Sequence, residues 1–189
     1  MLRRCLKALC IAPLYLALAA CWISQEPILN DSNASDIPFE GTFASGDNPQ
    51  EVATISKGAG MAYEIGADGR SESFYFMEVS PEWFVFQFSD PVKEEKEIRY
   101  GSEEGQKGKR KPTGISGYQF IRWRDGRIET IEPVCTKEVA AVEGVKGDEK
   151  VCSFETFEQL KGSAKIFAAA VDAGEIQAKV DKVLVSVAN

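Results

Sequence analysis

The chain has 189 residues, 22 of them basic and 29 acidic, for a net charge of −7, and it contains no histidine. That acidic balance opposes nucleic acid and anionic lipid head groups alike. Without histidine there is no Ser-His-Asp or Cys-His arrangement and no imidazole proton shuttle.

In chain order, Met1 to Lys7 carries Arg3, Arg4 and Lys7, and Ala8 to Leu18 is apolar or small apart from Pro13 and Tyr15. A basic start followed by a short apolar run that ends in small residues reads as an export signal. A spanning helix needs about 20 apolar residues, and here Gln25, Glu26 and Asp31 follow too soon. Leu18-Ala19-Ala20-Cys21 closes the run and resembles the lipobox of bacterial lipoproteins. The resemblance covers residues 1–22 alone. It implies cleavage before Cys21, a lipid on that cysteine, and a place in the cell envelope facing the periplasm. In that family's sorting rule an aspartate after the cysteine favours the inner membrane, so Trp22 points to the outer one. One acyl chain holds a protein only marginally, whereas two or three hold it almost permanently. The expected divisions are a signal peptide over 1–20, a flexible tether over 21–50 and one β-rich domain over 51–189.

The tether is expected from composition, because 21–50 is rich in Asn, Asp, Ser, Pro and Gly with scattered apolar residues. Strands follow. Ala62 to Gly66 and Glu72 to Val79 flank Asp68-Gly69, while Tyr118 to Trp123 and Arg127 to Val134 flank Asp125-Gly126. Asp-Gly between such runs is the strongest short hairpin signal. Ser80-Pro81-Glu82 makes a further turn into Trp83 to Phe88. The stretch Pro91 to Gly114 has no pattern. It gathers Lys107, Lys109, Arg110 and Lys111 among glycines and glutamates, as a solvated loop or a basic contact.

Two strands are apolar on both faces. Phe74 and Phe76 alternate with Tyr75, Met77 and Val79, and Phe84, Phe86 and Phe88 alternate with Trp83 and Val85. A sheet with one wet face alternates apolar with polar, so something must cover each side. A helix can cover one; the other needs a second sheet, a barrel interior, a ligand or a partner. Tyr75, Trp83 and Trp123 are the candidate binding-face aromatics.

Cys135 and Cys152 are the cysteines left after the leader and Cys21, and a disulfide between them is expected in an oxidising compartment. With no histidine they cannot build an ordinary zinc site from Cys and His. Thr156 with Gln159 fits a capping box, and Phe157, Leu160, Ala164, Phe167, Ala168 and Val171 recur at helical spacing. Ile176, Val180 and Val183 suit a second short helix, although 183–187 serves equally as a strand.

The expected fold is α+β, mainly β: an antiparallel sheet of about six strands, a meander folding into a small barrel or sandwich, with a helical C-terminal segment from about 154 holding one or two helices. The expected function is a non-enzymatic binding or adaptor role in the envelope, held to the membrane through Cys21. Its partner would be an envelope protein, a lipid or cell-wall glycan, with no nucleic acid, cofactor, metal or catalytic residue. One alternative resembles, in general plan, the small disulfide-bearing lipoproteins that inhibit host lysozymes. Another is an envelope hydrolase using carboxylates or a serine, although Glu94-Glu95 and Glu103-Glu104 read as solvated neighbours and Ser163 and Lys165, two apart on a helix, do not face one another.

Overall fold

The computed structural model describes residues 22–89, 115–147 and 151–187, so the leader, Cys21 and the expected loop 91–114 lie outside the described residues. The strands are β1 (Trp22–Ser24), β2 (Gly41–Ser45), β3 (Val52–Lys57), β4 (Tyr63–Ala67), β5 (Arg70–Ser80), β6 (Trp83–Ser89), β7 (Ser116–Arg124), β8 (Arg127–Glu132), β9 (Lys146–Gly147), β10 (Cys152–Phe154) and β11 (Lys179–Ser186). The helices are α1 (Lys137–Ala140) and α2 (Phe157–Asp172).

Both Asp-Gly signals are turns. Asp68 and Gly69 take φ of 51° and 75°, and Asp125 and Gly126 take 52° and 72°. Two successive positive φ values make the type I′ turn, whose twist matches that of the strands it joins. The meander then runs from β2 through β8, each strand antiparallel to the next, and β11 fills the gap between β8 and β2. The result is a closed barrel of eight strands, where the sequence suggested a sheet of about six. The segment read as either helix or strand is therefore strand, because both open edges of the meander need a partner. Of the two helices among the described residues, α1 lies inside the disulfide loop, so α2 is the one helix of the expected C-terminal segment.

The barrel wall has an apolar side inward and another outward. Inside, Phe39, Phe43, Ile55, Tyr63, Phe76, Phe84, Ile121 and Ile128 form one buried cluster. Outside, Met77, Val79, Trp83, Val85, Phe120 and Ile131 lie under Leu160, Ala164, Phe167 and Ala168 of α2. Phe120 and Phe167 meet with ring centroids 4.6 Å apart. The capping box is present: the Thr156 hydroxyl accepts from the Gln159 backbone and the Gln159 side chain accepts from the Thr156 N–H.

The tether expectation fails over the described part of 21–50. Trp22, Leu29, Phe39 and Phe43 are each 1% exposed or less. β1 inserts between β7 and β10, taking the edge of β7 at Ser116 and Gly117. From there the chain crosses the outer wall, where Gln87 Oε1 accepts from the Ile28 and Leu29 N–H groups at 2.7 and 2.9 Å. It then turns inward, and Phe39 enters the barrel against Phe76, Phe84 and Trp123. Composition misleads here because a few large side chains offset the chain entropy of many polar neighbours.

Candidate functional site

Eight strands enclose a lumen that side chains can just fill, so the two ends of the barrel decide what the fold can accept. One end is shut. Ile37 and Phe39 plug it, the Tyr63 hydroxyl accepts from the Ile37 N–H at 3.2 Å, and Asp36 is held by Lys57 and Tyr63. The hydrogen bond from Lys57, seconded by the one from Tyr63, keeps the Asp36 carboxyl below its usual range.

The opposite end, where the turns at 46–51 and 68–69 lie beside Ser116, is looser. Ile65, Phe74, Phe86, Phe88 and Leu184 are half-buried there. Phe74, Phe86 and Phe88 form a ladder with centroid spacings of 5.6 and 6.2 Å. Gly117 makes room for it, since a Cβ there would stand 2.3 Å from the Phe88 ring. The turns at this end border a depression of about 170 Å³ lined by Glu51, Val52, Ala53, Ala67, Asp68, Lys182 and Leu184. Its charged lining residues Lys182 and Glu51 are paired at 2.8 Å. Elsewhere on β11, Lys179 bonds Glu132 at 2.9 Å and Asp181 accepts from Gln119 at 3.2 Å. The hydrogen bond from Lys182 holds the Glu51 carboxyl below its ordinary value, and Glu132 raises Lys179.

The sequence-derived aromatics do not share a face. Trp83 is 1% exposed beneath α2, its indole N–H donates to Asp172 at 2.9 Å, and the Arg122 guanidinium lies 5.5 Å from its ring. It is a core residue, corrected from the binding face because α2 covers that side of the wall. Tyr75 packs against the same outer cluster, half-buried. Trp123 points the other way, into the barrel against Phe39 and Phe43. Leu184 and the Glu51–Lys182 pair escaped the sequence reading, as β11 pairs with strands from distant parts of the chain. Phe39 and Phe43 carried a signal, since Ile37, Phe39 and Phe43 all fall on odd positions in strand period.

Cys135 and Cys152 are joined, with Cα atoms 5.4 Å apart. Ser163 is buried and donates to the Val139 carbonyl at 3.3 Å, whereas Lys165 is exposed, so the two do not form a pair. Donors hold Asp36, Glu51, Glu64 and Glu138 below the usual carboxylate range, the opposite of what a proton-donating acid requires. Among the described residues no group of three or more His, Cys, Asp or Glu side chains could hold a metal. No helix among them is long and apolar enough to cross a membrane.

Set against models of known families, curated proteins and solved structures, the chain matches none. Its reading rests on its own residues.

Proposed function

We propose that this protein is a lipid-anchored cell-envelope module, held through Cys21, that binds an envelope protein at the half-open mouth of its barrel without catalysing a reaction. The observation that carries this reading is the asymmetry of the lumen. Ile37 and Phe39 plug one end, while the other leaves a depression of about 170 Å³ with Leu184 at its floor and the Glu51–Lys182 pair on its rim. A cavity of roughly 150 Å³ accommodates a single benzene-sized group, whereas small-molecule sites occupy about 300–1,000 Å³. The mouth therefore suits one side chain of a protein better than a whole ligand. The Cys135–Cys152 bond supports an oxidising compartment, and the leader supports export.

A photoreactive residue in place of Val52, which is 42% exposed on the depression, tests the mouth in living cells. One discrete protein adduct is expected, and it should vanish when Leu184→Arg puts a charge on the floor. Ile166, 36% exposed on α2, is the control position. Equal adducts from positions 52 and 166, or an adduct that survives Leu184→Arg, refute the mouth. Mass spectrometry of the mature amino terminus tests the anchor, and a Cys21 free of lipid refutes it.

A further inference from the structure

We infer that the anchor has no slack, and that the barrel rests on the bilayer with the wall around β1 and the disulfide facing the lipid surface. The inference rests on the lipid-anchored reading and adds an orientation to it. The apolar run ends at Leu18 to Ala20, and Cys21 is the residue immediately before Trp22. Trp22 is fixed in place. It is 0% exposed, its indole N–H donates to the Val134 carbonyl at 3.1 Å, and its ring meets Phe120, Phe154 and Phe167 at 5.1, 5.0 and 5.8 Å. One residue further on, Ile23 is in register with Gly117 and Ser153. Consecutive Cα atoms stand about 3.8 Å apart, so a lipid on residue 21 is held within a residue's length of this wall.

The side chains at that point fit a lipid surface. Val134, whose carbonyl holds Trp22, is 37% exposed, and Val151, which precedes the register partner of Trp22, is 36% exposed. Each directly precedes a cysteine of the Cys135–Cys152 bond, so both are presented on a braced surface. An acidic domain on a long tether would stand off from anionic head groups. A lipid on Cys21, next to the buried Trp22, would instead hold this one against them.

Photocrosslinking to lipid tests the orientation. The full lipidated protein, carrying p-benzoylphenylalanine at 134, 151 or 54, is reconstituted into phosphatidylethanolamine–phosphatidylglycerol vesicles. Thr54 is exposed on β3, across the barrel from β7. A second form carries a Gly-Ser spacer between 21 and 22, about ten residues long with a reach of roughly 17 Å. Lipid adducts are expected at 134 and 151 well above those at 54, and they should fall to the level of 54 in the spacer form while that protein stays on the vesicles. Equal yields at all three positions in bound protein overturn the orientation alone, as do protein adducts replacing lipid ones at 134 and 151. Protein recovered off the vesicles with an unmodified Cys21 overturns the anchoring reading, and this inference falls with it.

Discussion

Tyr118 shows how one buried hydroxyl can hold a segment that composition assigns to solvent. Its side chain is 0% exposed, 2.7 Å from the Ser24 hydroxyl and 3.3 Å from Gln87 Oε1. Gln87 in turn accepts from Ile28 and Leu29, so this knot pins the chain between β1 and the barrel plug. Burial, partly opposed by the bond to Ser24, pushes the phenol up from 10.0 to about 12. The folded protein therefore keeps this proton at a pH where the unfolded chain loses it. Stability from this group is complete below pH 10.0 and declines as pH rises toward about 12. Tyr118→Phe should cost about 1 kcal/mol at neutral pH, the worth of a typical hydrogen bond, and should flatten that alkaline decline. Urea titrations of both proteins across the range check it; parallel declines would show that Tyr118 is not responsible. None of this was visible in sequence, because Ser24, Gln87 and Tyr118 are brought together only by folding.

Elements differ in how much they announce themselves. The two Asp-Gly hairpins and α2 were legible because each is specified within a few residues, by a positive-φ turn or by a cap and a helical period. β1 was not, since a three-residue strand in a polar stretch shows little periodicity, and β2 offered only the odd-position spacing of Phe43 with Ile37 and Phe39. The disulfide operates at this scale. It joins residues 17 apart and braces β10 against the end of the barrel wall, with Cys152 in register with Trp22. Closing a loop of that size stabilises by about 3 kcal/mol in the chain-entropy model. The double change Cys135→Ala with Cys152→Ala should lower the unfolding free energy by about that much, read from denaturant midpoints at constant slope. An unchanged midpoint would mean that the brace carries none of the stability.

The whole molecule depends on closure. β11 pairs with β8 on one side and β2 on the other, and without it both edges face solvent. A chain ending before Lys179 should lose its near-ultraviolet circular dichroism and associate, as exposed edges pair between copies. A monomer with the native aromatic signal would show that the meander holds without its last strand. Closure also sets the candidate site, because Leu184 and Lys182 of β11 meet Glu51, Val52 and Ala67 only once the barrel is complete.

The sequence by itself determined the hairpins, the capped helix, the need to cover both sides of β5 and β6, and the Cys135–Cys152 pair, because each is written in neighbouring residues or in what few cysteines remain. Only the tertiary structure decided that the meander closes, that Trp22 and Phe39 are core, and that Leu184 floors a depression beside Glu51. Those contacts join residues far apart in the chain, and local patterns of polarity hold no record of which distant strand will supply the missing partner.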